Sequence, residues 1–351
     1  MTGFGRFCVF IILEIAAGAC FSRPVYASDI VWRFNNTHVE KRPESGARKL
    51  FADRIYELTA GDLQVKVFHG DSLGVAKADI LRALRIGAIE MSTLFPAYLG
   101  RDDQTLPNVL NAGVIFNVDE EIAILPVLMD IYREIYDSWN IEVVGWQLTT
   151  PWQLSVLCND PVDTLKELQD KKLRVYHKGL VNIFRKLGVA AQLIPAGEFY
   201  LAMQTGVVDC GVHSVALAHT LSLQEVADYA SKVSILTGLT AIGVNKDVWN
   251  SLPDNLKAAV KLAGDELLEQ SVAEALTKPK ILEARYAGEY AESKELIVLD
   301  PFPETDLAAF YTAAVEHWEE EAMVIGGKAN SYRLRVVNAL DAWRRDHASA
   351  R

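Results

Sequence analysis

The run Lys172-Leu173-Arg174-Val175-Tyr176 places a lone arginine between two aliphatic residues. A strand alternates its side chains, so Leu173 and Val175 turn into a core while Arg174 and Tyr176 take the opposite face. A guanidinium fork offers a planar carboxylate two parallel hydrogen bonds, a geometry that a lysine cannot match. Two readings are open at this point. Paired with a local acid such as Asp170, Arg174 is an ordinary surface cation. Turned into a cleft, it finds its partner only in an anionic ligand.

Other polar and aromatic residues fall where strands are expected to end. Asn35, Asn36 and His38 follow the first strand, and Ser92, Thr93 and Phe95 follow a later one. Trp152 and Tyr176 are suited to wall a pocket, since ligand sites are typically aromatic-lined with few polar anchors. Each of these residues also serves as turn chemistry or packing. The sequence has no Walker A loop, GxGxxG turn, HExxH pair or CxxC. Its histidines, His38, His69, His177, His213, His219, His317 and His347, show no metal-ligand spacing. Neither a metal nor a cofactor is expected.

The elements that must position these residues follow a βα rhythm. Ile30–Phe34 is β-rich, and Glu44–Leu58 carries Ala47, Leu50, Phe51, Ile55 and Leu58 at helical spacing. Leu63–Phe68 alternates as a strand, Asp79–Ile86 is a helix stopped by Gly87, and Ala88–Leu94 is a strand. Residues 119–139 form a helix, and Ile141–Leu148 leads as a strand to the break Thr149-Thr150-Pro151. The rhythm restarts with strands at Leu154–Cys158, Leu173–Tyr176, Ala191–Pro195 and Val207–Cys210. Between them lie helices starting in Asp163–Leu168 and spanning Leu180–Leu187 and Glu198–Gln204. Two βα blocks joined near Pro151 imply two α/β lobes with a cleft between them, ligands collecting at the strand ends. From Leu252-Pro253 a helical pattern extends to about Lys294, interrupted by Pro279 and Gly288 and long enough to act as a strut across both lobes. Phe310–Val324 and Tyr332–Trp343 are amphipathic helices.

Length and composition fit this scheme. The 351 residues suit two lobes, half of them are apolar and 23% are charged, as in a water-soluble globular chain. The formal charge of −11 disfavours nucleic acids and anionic bilayers as partners. At the N-terminus, Arg6 precedes the apolar runs Phe7–Leu13 and Ile15–Ala19, broken by Glu14, and Val25-Tyr26-Ala27 stands before Ser28. This is the layout of a secretory signal over residues 1–27; lipid attachment at Cys20 and an ordinary buried helix are the alternatives. Cys8 and Cys20 would leave with the signal. Cys158 and Cys210 remain, either as one disulfide or as two buried thiols.

Several segments in order, Thr59–Val67, Leu73-Gly74, Leu84–Met91, Leu168–Val175, Leu187-Gly188, Glu198–Asp209 and Asn245–Pro253, resemble the consecutive signatures of TRAP-transporter solute-binding proteins. These are extracytoplasmic receptors that hand small organic acids to a membrane permease. The resemblance covers nearly the whole chain beyond residue 27. It implies a two-lobed periplasmic-binding-protein-like α/β fold with a long spine helix spanning both lobes. The expected division is lobe I from 28–151 plus 240–279, and lobe II from 152–239 plus 280–351. It implies that Arg174 binds the substrate carboxylate, with Leu168, Lys172 and Leu173 around it matching the family pattern.

Where family members often carry an asparagine, four residues after Asp209, this chain has His213, followed by Ser214. A histidine either donates to a carboxylate or, when neutral, accepts from a hydroxyl, so this contact changes character. Ala196 stands where many members place an aromatic residue. The second arginine of sialic-acid-type members is missing near Leu154-Ser155. The expected partners are a small carboxylate and an integral membrane TRAP permease, in the periplasm. An exported enzyme using His213, Glu198 or Asp209 as acid–base groups, and a sensing module of a signalling receptor, are the other readings.

Overall fold

The computed structural model describes residues 30–347 apart from 71, 116, 149–153, 219–220, 234–237 and 290–295. The expected signal segment and Trp152 therefore lie outside the described residues. The chain lays down β1 (Ile30–Asn36), β2 (Leu63–His69), β3 (Met91–Leu94) and β4 (Ile141–Leu148) in one sheet. It then passes through 149–153 to a second sheet, with β5 (Leu154–Cys158), β6 (Lys172–Val175), β7 (Ala190–Leu193), β8 (Cys210–Ser214) and β9 (Tyr229–Lys232). After Val233 it returns, adding β10 (Leu239–Asn245) to the first sheet, and later β11 (Ile297–Val298) to the edge of the second.

The first sheet has the order β2-β1-β3-β10-β4 and the second β11-β9-β5-β8-β6-β7. In the first, β1 is parallel to both β2 and β3, while β10 runs antiparallel between β3 and β4. In the second, β6 is parallel to β7 and β8, and β5 is antiparallel to β8 and β9. Helices cover both faces of each sheet, which is why the strands read as apolar on both sides. Leu239 and Ala241 of β10 face a core with Leu128, Ile131 and Trp146, whereas Ile242 and Val244 face one with Phe34, Ile55 and Val260. In the second sheet Leu173, Val175 and Val212 pack with Ile183 and Phe184, and Leu157 and Ala230 pack on the other face with Phe199 and Met203.

Helices and one disulfide brace the two sheets, and one helix reaches the cores of both. The helix Asp254–Glu289 runs through Pro279 and Gly288 without the expected interruption; at 36 residues it is about 54 Å long. It lies directly on β4, where a Cβ added at Gly264 would sit 1.9 Å from the Val144 carbonyl oxygen and 2.9 Å from Gly145 Cα. Arg54 pins it to the helix Pro43–Leu58 through both oxygens of Glu266, at 2.8 and 3.0 Å. The helix Glu304–Ile325 spans both cores: Phe310, Ala313 and Ala314 pack with Leu173 and Phe184, and Trp318 packs with Leu128 and Tyr132. The helix Ala329–His347 places Tyr332, Val336 and Leu340 in the core of the first sheet. Cys158 and Cys210, direct partners in the β5–β8 register, are joined by a disulfide.

Two further differences from the sequence reading bear on the site. Strand β8 begins at Cys210, where that reading ended it. Gly206, at φ +70°, turns the chain, Val208 N–H returns to the Ala202 carbonyl, and the Asp209 carboxylate accepts from Lys172 N–H at 2.9 Å. His213 and Ser214 thus lie inside a strand. On the helix Pro43–Leu58 the buried stripe is Glu44, Ser45, Arg48, Phe51, Ala52 and Ile55, while Leu50 is exposed. The charged residues at its head are held by the network described below.

The helix Val118–Ser138 carries two buried glutamates of opposite fate. Glu120 is paired with Arg344 through both oxygens, at 2.9 and 3.0 Å. Glu121 has no hydrogen-bond partner on either oxygen, and burial pushes its carboxyl up to about 8. The folded chain therefore keeps a proton that the unfolded chain releases in the ordinary carboxylate range. Stability must fall as pH rises from that range through about 8. Glu121→Gln is expected to flatten this slope and to raise the urea midpoint at about pH 9 more than at about pH 5. Gly264→Ala is expected to lower stability by at least about 1–3 kcal/mol, because backbone rather than a movable side chain occupies the space; urea unfolding measures it.

Candidate functional site

Arg174 sits on β6 with its neighbours Leu173 and Val175 on the other face, and it is 1% exposed. Its Nε donates to the Ile194 carbonyl at 2.8 Å and its Nη1 to the Val212 carbonyl at 2.9 Å. Its third nitrogen, Nη2, is buried without a partner. Asp170 plays no part. The guanidinium carbon lies 4.6 Å from the centroid of the Phe199 ring, an arrangement that favours the cation electrostatically. Gly211 makes this possible, because a Cβ there would lie 2.1 Å from Phe199 Cζ. Burial nonetheless lowers the Arg174 pKa to about 10.

His213 stands two residues further along β8 and meets the Phe199 ring at 6.1 Å between centroids. Its Nδ1 lies 3.0 Å from the Ser214 carbonyl. Burial above all, reinforced by the charges of Arg174 and Arg42, holds its pKa down at about 4. The ring is therefore neutral near pH 7. A carbonyl accepts only, so the proton belongs on Nδ1 and Nε2 is left as an acceptor. Ser214 itself is buried at the end of β8.

The first sheet contributes a second buried cation. Arg48 is fully buried; its Nε donates to Gln147 Oε1 at 2.8 Å and its Nη1 to Asn36 Oδ1 at 2.7 Å, with His38 Nδ1 at 3.0 Å. Asn36 completes the network through Ser45 Oγ at 2.8 Å and His69 Nδ1 at 2.9 Å. Arg42 grips both oxygens of Glu44 beside it, at 3.1 and 2.9 Å. The charge of Arg42 is felt at His213, so the two clusters are within electrostatic reach of one another.

The other residues singled out in the sequence divide. Phe95, packed edge-on against Tyr98 at 5.0 Å, lines a cavity of about 90 Å³ together with Pro96, Asn111, Tyr176, His177 and Leu239, so it borders the same space as Tyr176. The Tyr176 phenol is also within electrostatic reach of Arg174. Ser92 is engaged inside the first sheet, donating to the Asn35 carbonyl at 3.1 Å and accepting from Asn35 Nδ2 at 3.0 Å. Asn36 is likewise spent on its network and acts through Arg48. Sequence reasoning missed Arg48, Gln147 and Phe199. The available signal was Arg48 at helical spacing from Glu44, Phe51, Ala52 and Ile55, a charge on a buried stripe. Gly70-Asp71-Ser72-Leu73-Gly74 has the spacing of a nucleophile elbow, but Ser72 is exposed in a turn and no histidine bonds its hydroxyl among the described residues.

Comparison with known proteins agrees with the fold and with the signatures read in the sequence. The model of bacterial extracellular solute-binding protein family 7 matches residues 34–323. A solute-binding protein of Chromohalobacter salexigens is 26% identical over 265 residues, 72% of this chain and 77% of the relative. The C4-dicarboxylate-binding periplasmic protein of Rhodobacter capsulatus is 22% identical, covering 87% of this chain and 88% of the relative. Among solved structures, a Bordetella pertussis extracytoplasmic solute receptor binding pyroglutamic acid superposes with a TM-score of 0.74 at 18% identity, over 89% of this chain and 99% of that one. The ectoine-binding protein of the TeaABC TRAP transporter in its apo state gives 0.76 at 17% identity, over 88% and 99%. With its two α/β lobes, spine helix and family model matched over most of its length, the chain belongs to the bacterial extracellular solute-binding proteins of family 7.

Proposed function

We propose that the protein captures a small organic carboxylate between its two lobes outside the cytoplasm and delivers it to a TRAP-type permease in the membrane. The observation that carries this reading is Arg174. A buried guanidinium with two neutral carbonyl acceptors and one unpartnered nitrogen is an incomplete ion pair, and a planar carboxylate completes it. Contacts from both lobes then favour the closed arrangement over the open one. The acids bound by the Rhodobacter and Bordetella relatives are of this chemical kind. Residues 1–27 would direct export to the periplasm and leave the chain there. Ser214, Tyr176, Phe95 and Trp152 are assigned to the walls of the site. His213 is assigned as an acceptor facing a ligand hydroxyl or amide.

The chain would act without turnover. Mass analysis of ligand released from the purified protein should return the acid chemically unchanged, and a product of reaction would point instead to an enzyme. A thermal-shift screen against mono- and dicarboxylates, keto acids, hydroxy acids and cyclic acids should identify stabilising ligands. Arg174→Ala is expected to abolish the shift, and Arg174→Lys, which keeps the charge but loses the fork, to weaken binding by about a hundredfold or more. An undiminished shift in both variants would contradict the role given to Arg174. Gly211→Ala should weaken binding without touching ligand, by driving the Phe199 ring from beneath the guanidinium.

A further inference from the structure

We propose that His317 and Glu321, together with the side-chain carbonyl of Asn108, form a binding site for a divalent transition cation of the zinc type, sharing no residue with the Arg174 group. His317 and Glu321 stand four residues apart on the helix Glu304–Ile325 and so project from one face of it. They border a groove of about 480 Å³ whose other wall is the helix Lys178–Lys186. His317 is 6% exposed, and its Nε2 has no hydrogen-bond partner. Glu321 Oε2 lies 3.8 Å from that nitrogen, too far for a hydrogen bond. Asn108, in the helical turn Thr105–Asn108, is 2% exposed. Its Nδ2 donates to the same Glu321 oxygen at 3.2 Å, and its Oδ1 is buried without a partner.

Packing of the helix explains none of these orphaned atoms. Trp318 Nε1 already ties the helix to the turn through the Asn108 backbone carbonyl, at 2.6 Å. Buried polar groups are nearly always paired, so two that are gathered about one carboxylate oxygen call for a common partner. An ion pair between His317 and Glu321 does not supply it, because burial lowers the His317 pKa and keeps the ring neutral. Nor does the facing helix. Lys186 is spent on Glu316 and Glu320 at 3.6 and 2.8 Å, Arg185 donates to Asn182 Oδ1 at 3.4 Å, and no lysine or arginine pairs with Glu321 among the described residues. His177 is within electrostatic reach of both groups but is no ligand: its Nδ1 accepts from Gly179 N–H, which leaves its proton on Nε2.

The donors suit a cation in kind and in spacing. Two ligands about 2.1 Å from a tetrahedral ion stand about 3.4 Å apart, and Glu321, 39% exposed, reaches this from 3.8 Å by a small turn of its carboxylate. A half-turn of the Asn108 amide would bring Oδ1 to the place of Nδ2, 3.2 Å from Glu321 Oε2. No third histidine, cysteine, aspartate or glutamate joins the pair among the described residues, so the amide oxygen and water complete the set. An imidazole nitrogen among the donors favours zinc over calcium and magnesium, which take oxygen ligands. The ion would strap the helix Glu304–Ile325, which reaches both cores, to the turn Thr105–Asn108.

Calorimetry and thermal unfolding of the full mature chain, first stripped with a chelator, test this with Zn²⁺, Ca²⁺, Mg²⁺ and inorganic phosphate. Zn²⁺ should bind at one equivalent with a Kd of about 10 μM or tighter and raise the Tm, while Ca²⁺ and Mg²⁺ at the same concentrations do neither. Glu321→Gln and His317→Gln should each weaken Zn²⁺ binding at least about tenfold, as expected when a ligand is lost. His347→Gln, on the exposed end of the last helix, should leave it unchanged. Should His317→Gln fail to fold, the partly exposed Glu321→Gln decides alone. Absence of Zn²⁺ binding, equal binding of Ca²⁺, or an unchanged Zn²⁺ affinity in folded Glu321→Gln would overturn the site. Binding of phosphate in place of Zn²⁺ would also overturn it, in favour of an anion drawn by Lys178 and Arg185, which line the same groove.

Discussion

A guanidinium taken out of water and given only neutral acceptors is unfavourable until an anion reaches it, and this structure holds two such groups, Arg174 on the second sheet and Arg48 beside the first. Much of the surrounding architecture follows from keeping them there. Arg174 depends on the β7-β6-β8 register, because its acceptors are the carbonyls that follow β7 and lie within β8. The Cys158–Cys210 disulfide fixes β8 against β5, and Gly211 lets Phe199 lie beneath the cation. Arg48 depends on the junction of one helix with the ends of two strands of the other sheet.

A receptor of this kind needs rigid halves and a limited connection between them. The halves are sheets buried on both faces, and the strand-to-strand passages occur at 149–153 and after Val233. The helices supply the rest of the connection. Asp254–Glu289 lies on β4 with a backbone approach that only glycine permits, and Glu304–Ile325 places aromatic residues in the cores of both sheets. Glu121 sits close to this connection, its Oε1 near Gly238 where the chain returns to the first sheet. A carboxyl kept neutral there avoids burying an unpaired charge beside the return passage.

The sequence made the outline legible because apolar alternation and helical stripes report burial directly. The βα order, the existence of a long helix after Leu252-Pro253 and the face on which Arg174 lies were all readable in this way, while the break at Thr149-Thr150-Pro151 lies outside the described residues. Arg48 was not, for a physical reason. A period counted on apolar residues treats an arginine as solvent-facing, so exposed Leu50 was given a place on the stripe and buried Arg48 was not. Only partners distant in sequence, Gln147 and Asn36, make its burial tolerable. The extent of β8 was misjudged because polar His213 and Ser214 look like a loop until the paired strands around them are known. The cysteine pairing likewise depended on the β5–β8 register, which composition does not encode.

The central claim is that a desolvated cation, rather than the shape of the cleft, provides the recognition. Calorimetry comparing the best-binding acid with its uncharged primary amide tests this on the unaltered protein, since the two ligands differ little in size. The account predicts that the amide binds weaker by about two orders of magnitude or more, as expected when a buried ion pair loses one partner. Amide and acid binding with the same affinity would contradict it.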